Sequence, residues 1–423
     1  MNEKDIMMLA GEASGDLLAA ELLQEMRALF PVRCFGAGGP NLRAAGAELA
    51  VDLTAHAVVG VWEVLKHYPA LRRLFNQLRK LAISRQPEAI ILVDYPGFNL
   101  RFAAAIKKYV RRRQGPFNNW RPKVIYYVSP QLWAWHAARV RQIARDVDLM
   151  LCIFPFEKAW YAARAPELRV EYVGHPLMDR YQASGMRGAE CGAGLAAKER
   201  KERGEGLEFK TGNEQPLAGI PSSGRAGLEP PTPRIVLLPG SRAREIKKHL
   251  PPMAAAARQI EQVTPVCWQM VLPNEALAEL ARSLLPEANR FPVQIQSLAS
   301  ALSQATLAVA SSGTVTMECA LFGVPTVVLY RTSWSTYQLG KRFIKVKYLA
   351  MPNVLADELI YPELIQDAAT PENISRVVLD LLQNPTRRTA IKEKLARVIA
   401  MLGPPGAAGR AASAIARLLG ATV

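Results

Sequence analysis

A chain of 423 residues is too long for one hydrophobic core and predicts two domains. Half of it is hydrophobic, which excludes a disordered protein, yet no apolar run reaches the ~18 residues of a membrane span. The formal charge of +16 points to an anionic partner, and five widely spaced cysteines without a CxxC, beside five scattered histidines, argue against a disulfide framework or a zinc site.

The chain opens with MNEKDIMMLA, an apolar strand. The turn GEASGD (11–16) and the amphipathic stretch LLAAELLQEMRAL follow, which spell strand, loop and helix. No basic region or unbroken apolar core of a signal peptide is present, so a cytoplasmic protein is expected. The alternation continues through VRCFGAGG, AIILVDYPGF, KVIYYVSP, DLMLCIFPF and LRVEYVGHPLMD, each run separated from the next by a helical pattern. Apolar strands alternating with amphipathic helices predict a parallel, doubly wound sheet over 1–182.

Residues 65–123 hold fourteen Lys or Arg against Glu88 and Asp94, a net +12. Three readings are open: a solvated surface, nucleic acid, and an anionic membrane. The membrane is favoured because Leu65, Tyr68, Leu71, Phe75, Leu78 and Leu81 recur at three- and four-residue steps. The same stripe equally suits a helix facing a core.

Composition changes over 183–232, rich in Gly, Pro, Lys, Arg and Glu, which reads as a flexible insertion or linker. Strands and helices resume over 233–370 and predict a second doubly wound domain. Residues 371–423 are helical in period.

In LLPGSRAREI, Gly240 and Ser241 turn a strand into a helix whose first turn carries Arg242 and Arg244. Free N–H groups and guanidinium donors there suit an anion; the plainer alternative is a turn with solvated arginines. In VASSGTVTMECALFG, Ser311, Ser312, Gly313 and Thr314 open a second such helix. Glu318, one turn on, can accept both hydroxyls of a ribose, or merely complement the helix dipole. Asp94, in ILVDYPGFNL, ends an apolar strand before a Pro-Gly turn. An acid there, half buried, suits a general base with a raised pKa, or simply caps the turn. YYVSPQLWAWH offers Ser129, Gln131, Trp133, Trp135 and His136 for a sugar or acyl surface, with core packing as the alternative. The pair Asp146 and Asp148 has the spacing of a metal motif but sits at the amino end of a strand, and it is rejected.

These motifs together resemble the lipid-A-disaccharide synthase family. GEASGD, DYPGFN, YYVSPQLWAW, PFEKAWY, YVGHPL, LLPGSRAREI, SSGTVTMECALFGVPTVVLYR and MPNVLADELIYPELIQ stand in the family's order over nearly the whole chain. The resemblance implies an α/β GT-B fold, with two Rossmann-like domains facing across a cleft and helices 371–423 packing back toward the first. The first domain would take the lipid acceptor and the second the UDP-sugar.

The implied reaction is the inverting transfer of 2,3-diacylglucosamine from UDP-2,3-diacylglucosamine to 2,3-diacylglucosamine 1-phosphate. It gives a β-1,6 disaccharide and UDP, in lipopolysaccharide biosynthesis of Gram-negative bacteria. By position, Asp94, Arg242 and Asn353 match the family's catalytic residues. Gly240, Ser241, Arg242, Ser312, Gly313, Thr314 and Glu318 form the implied UDP-sugar site.

Gly11, Ser14, Gly15, Ser129, Gln131 and Trp133 are expected on the acceptor side. GEASGD lacks the GxGxxG spacing, and Glu12 and Asp16 would repel a pyrophosphate, so its glycines are read as allowing close approach. No cofactor or metal is expected. The expected partners are the two acylated substrates, the anionic inner-membrane surface through 65–123 and a second copy of the chain in a homodimer, with no nucleic acid. The insertion is longer than the family's usual connection, which leaves the domain spacing open. Rival readings are another GT-B lipid glycosyltransferase with a UDP-amino-sugar donor, a UDP-sugar epimerase on the same scaffold and a nucleic-acid binder.

Overall fold

The computed structural model describes residues 3–53, 61–115, 118–135, 137–183, 232–285, 290–332, 337 and 346–421, with backbone alone for 61–68, 135, 138, 182 and 183. The chain divides into two units. The first is Met1–Met186 with Gln338–Lys345 and Met401–Val423, and the second is Arg187–Tyr337 with Val346–Ala400. Apart from its two end residues, the insertion expected at 183–232 lies outside the described residues.

In the first unit the strands are β1 (Lys4–Ala10), β2 (Val32–Gly38), β3 (Glu48–Asp52), β4 (Ala89–Val93), β5 (Lys123–Tyr127), β6 (Leu149–Cys152) and β7 (Val170–Tyr172). They form one parallel sheet in the order β3-β2-β1-β4-β5-β6-β7. Every residue of β4 is buried, because helices cover both faces and leave no polar side for alternation. The Ala13–Leu29 helix buries Ala19, Leu22, Leu23 and Met26 at helical spacing.

Against it lies the Ala407–Leu419 helix, whose buried face is largely alanine, so the two backbones approach closely. Asp179 fixes the start of that second helix by accepting the N–H groups of Gly406, Ala407 and Ala408. Arg410 donates from Nε to the carbonyl of Val173 at 2.7 Å.

In the second unit β8 (Arg234–Leu238), β9 (Cys267–Leu272), β10 (Val293–Ile295), β11 (Leu307–Ser311), β12 (Thr326–Tyr330) and β13 (Glu363–Ile365) form a second parallel sheet, in the order β10-β9-β8-β11-β12-β13. Residues 371–423 do not behave as one block. The Pro371–Gln383 helix packs on the Ala243–Glu261 helix and, with Pro385–Ala400, belongs to the second unit; only from Met401 does the chain join the first. The break is physical: Gln259 and Ser375 hydrogen-bond at 2.7 Å within the second unit, whereas Tyr172 reaches the carbonyl of Leu402 at 2.6 Å within the first.

Candidate active site

Each sheet reverses its winding once. In the first unit the chain moves outward from β1 to β2 and β3, then returns to place β4 on β1's other side. In the second, β8 and β11 stand at the equivalent point. Loops leaving the carboxyl ends of such strand pairs splay apart and leave a crevice, where open α/β sheets bind ligands. Ala10 pairs with Val93 and Leu238 with Ala310. GEASGD and Asp94 therefore leave one switch point side by side, and 239–242 and 312–314 leave the other.

At the first point two glycines let the loops meet. A Cβ on Gly11 would lie 2.2 Å from Cδ1 of Tyr95, and one on Gly15 would lie 3.8 Å from Cβ of Asp94. The opening loop is thus seated directly on the segment that carries Asp94. Ser14 is exposed in the first turn of the Ala13–Leu29 helix. Asp16 faces the other way. It is fully buried and accepts the N–H groups of Gly39 (2.6 Å), Asn41 (2.9 Å) and Leu42 (3.2 Å), capping the Pro40–Ala44 helix. The structural role of Asp16 is therefore this cap, in which three peptide dipoles meet its carboxyl.

Beyond β5, Ser129 is buried, and its hydroxyl lies 3.0 Å from that of Tyr161. Gln131 is exposed. Trp133 is half-buried; its indole donates to Glu157 at 3.2 Å and its ring meets Phe156 edge-on at 5.2 Å. The side chains of Trp135 and His136 lie outside the described residues.

Nothing in its local sequence marks Glu157, in the first turn of the Pro155–Ala162 helix, since a single acid there normally serves the dipole. It is fully buried and also accepts the N–H of Phe154 at 3.1 Å. Burial pushes its carboxyl up to about 7, although the donors from Phe154, Trp133 and Ser129 oppose this. Because the folded value lies above the usual 4.5, protonated Glu157 contributes stability that is fully present below about pH 4.5 and is lost as pH rises through about 7. The wild-type protein should lose about 2 kcal/mol from this group between pH 5 and 7. Glu157→Gln should remove that loss in denaturant unfolding followed at several pH values; equal slopes in the two proteins would refute the assignment.

At the second point Arg242 is the N-cap of the Ala243–Glu261 helix and is exposed. Its guanidinium donates to Glu245 at 3.1 Å, and the other oxygen of Glu245 accepts the N–H of Ser241 at 2.9 Å. An internal carboxylate thus sits where an external anion was expected. Gly240 allows it: at φ +136° a Cβ would lie 2.5 Å from Glu245.

His249, one turn further on, is buried. Its Nε2 accepts the N–H of Arg331 at 3.0 Å, so the proton sits on Nδ1, which donates to the carbonyl of Pro239 at 3.0 Å. Burial holds its pKa below the usual value and keeps it neutral in that role.

Gly313 and Thr314 are exposed after β11, Glu318 is half-buried, and Ser312 donates to the carbonyl of Leu349 at 3.2 Å. Asn353, expected to be catalytic, is wholly buried. Its Nδ2 donates to Tyr361 and Glu363 at 2.8 Å, and its Oδ1 accepts from Ile360 (3.0 Å) and Tyr361 (2.8 Å). These fill the hydrogen-bonding capacity of an amide, and in this structure they tie the Met351–Ala356 helix to 360–363. Glu363 extends that tie by accepting the N–H groups of Leu349 and Ala350, which reach Ser312 through Leu349.

From Leu74 onward the expected amphipathic stripe faces inward. Leu78 is buried, and Phe75 meets Phe98 and Phe102 edge-on. The side chains of Leu65 and Tyr68 lie outside the described residues. Arg72, Arg73, Lys80, Arg101, Lys108, Arg112, Arg113, Arg121 and Lys123 are exposed. Asp148 accepts from Lys107 and the N–H of Val124, both at 2.6 Å, and buried Asp146 pairs with Arg145.

The family model described as lipid-A-disaccharide synthetase matches residues 6–199 and 223–414. The lipid-A-disaccharide synthase of Geobacter sulfurreducens is 36% identical over 422 residues, covering 99% of this chain and 98% of that one. That of Coxiella burnetii strain CbuG_Q212 is 34% identical over 423 residues, covering 99% and 100%. Among solved structures, a UDP-GlcNAc 2-epimerase from Neisseria meningitidis bound to UDP-GlcNAc aligns with a TM-score of 0.58 at 13% identity, over 99% of this chain and 100% of that one. The calicheamicin glycosyltransferase CalG4 aligns with a TM-score of 0.56 at 14% identity, over 99% of each chain. At such identities the likeness shows the fold alone, two Rossmann-like domains of the GT-B class.

Proposed function

The chain belongs to the lipid-A-disaccharide synthetase family and is a glycosyltransferase, and on that premise we propose that it transfers 2,3-diacylglucosamine from UDP-2,3-diacylglucosamine to 2,3-diacylglucosamine 1-phosphate. The observation that supports this reading is the chemistry at the two switch points: an acid, Asp94, beside one, and a cation, Arg242, with 312–318 beside the other. Asp94 takes the proton of the acceptor's 6-hydroxyl as that oxygen attacks the anomeric carbon opposite UDP. The bond from that carbon to the diphosphate oxygen breaks, and the configuration inverts from α to β. The charge left on UDP is met by Arg242, which exchanges Glu245 for the diphosphate, and by N–H groups of 312–314. Glu318 accepts the ribose hydroxyls.

The purified chain, given both substrates in detergent with EDTA, should release UDP and disaccharide in equal amounts. No disaccharide with or without divalent ions would reject the reading. Turnover with a polyprenyl-linked acceptor alone would assign another lipid glycosyltransferase, and interconversion of the UDP-sugar without acceptor would assign an epimerase.

No helix among the described residues is long and apolar enough to cross a membrane. The exposed cations of 65–123 are proposed to hold the enzyme to the anionic cytoplasmic face of the inner membrane. Changing Arg72, Arg73 and Lys80 to Gln should weaken co-sedimentation with anionic vesicles by about tenfold or more at low salt. Unchanged binding would remove this stretch from the role.

A further inference from the structure

We propose that Tyr126 and Asn99 are positioning residues that hold the Asp94 peptide in the conformation from which its carboxylate acts; this rests on the reading of Asp94 as general base. Strand β4 ends in a backbone that ordinary residues avoid: Asp94 and Tyr95 both have φ +48°. Two successive left-handed residues that are not glycine cost on the order of 1–3 kcal/mol each and persist only where surrounding contacts impose them.

Two of those contacts converge on one atom. The carbonyl oxygen of Asp94 accepts from the Tyr126 hydroxyl at 2.6 Å and from Nδ2 of Asn99 at 2.8 Å. Nδ2 also donates to the carbonyl of Val93 at 3.2 Å, so both amide hydrogens bridge the strand end. The N–H of Asp94 meets the carbonyl of Tyr127 at 3.0 Å. Gly11 in turn admits the ring of Tyr95, where a Cβ would lie 2.2 Å from it.

Both donors are built for the task. Tyr126 lies on β5 opposite Leu92 and is fully buried. Burial, and then the charge of Asp94, keep its hydroxyl protonated, and so a donor, far above the usual range. Asn99 is fully buried as well, and its Oδ1 has no hydrogen-bond partner among the described residues. Leaving a buried amide oxygen unsatisfied costs about 1–3 kcal/mol. Against that cost stands what its Nδ2 does, which is to bind the carbonyls of Val93 and Asp94.

The test uses the full chain in three variants, Tyr126→Phe, Asn99→Asp and Asp94→Asn, and their pairs. Tyr126→Phe keeps the ring and removes one donor; Asn99→Asp keeps the shape and replaces both donor hydrogens with an acceptor. Each should lower kcat by about tenfold or more, with KM for both substrates and UDP affinity within about twofold. In the Asp94→Asn background neither should lower the residual rate by more than about twofold, because the group they position is already gone. Wild-type kcat in both variants, additive losses in that background, or a matched loss of UDP affinity would overturn the proposal while leaving the base reading intact. If Asp94→Asn itself keeps wild-type kcat, the base reading fails instead. Should Tyr126→Phe not fold, Asn99→Asp carries the same comparison.

Discussion

Asp94→Asn should lower kcat by about 10²–10⁴-fold, the range that a positioned general base contributes, while UDP affinity stays within about twofold. An amide cannot take the proton that the acceptor hydroxyl loses. The substitution is otherwise mild. Asn tolerates left-handed backbone well, so φ +48° at this position is kept, and so are the hydrogen bonds from Tyr126 and Asn99 to the main-chain carbonyl. Loss of activity can then be assigned to the carboxylate and not to the loop. Titration calorimetry with UDP, beside turnover measured by disaccharide formation, separates the two. Loss of UDP binding with turnover of the bound fraction intact would move Asp94 out of the base role.

Asp16→Ala should cost about 3 kcal/mol of stability, without entering the chemistry. The carboxylate is fully buried, and three peptide N–H groups donate to it. Alanine leaves all three without an acceptor and opens a small void beside Leu42. For a unit of this size the loss corresponds to a fall of about 6–12 °C in thermal midpoint. Asp16→Asn should cost about half as much, because one oxygen can still accept while its NH₂ group faces a donor. A midpoint within about 2 °C of wild type in Asp16→Ala would show that Gly39, Asn41 and Leu42 find other acceptors.

Much of the architecture was legible because its signals are local. The run AIILV is buried on both faces, as an uninterrupted apolar strand must be. GEASGD, Asp94, the arginine loop and 312–314 follow strands, and in a parallel sheet every strand end of that kind lies on one edge. Partners of polar side chains were not legible in the same way. Asn353, the last residue of MPN, matches an active-site asparagine by resemblance, and nothing in its neighbours in sequence foretells that its amide bonds Ile360, Tyr361 and Glu363. Nor does the arginine loop record that Glu245 holds Arg242 and Ser241. The stripe at 71–81 suits a membrane and a core equally by period, and only its packing on Phe98 and Phe102 decides for the core from Leu74 onward.

By itself the sequence determined the two α/β domains, the order of the motifs and the family, since apolar periodicity and long motif strings are properties of neighbouring residues. The tertiary structure alone decided how GEASGD is seated. Its glycines admit Tyr95 and the segment carrying Asp94, and its second acid turns away to cap a helix that begins more than twenty residues later. The physical reason is that a buried charge takes whichever donors the fold brings to it. Those donors come from the next strand's loop, where no spacing within the motif records them.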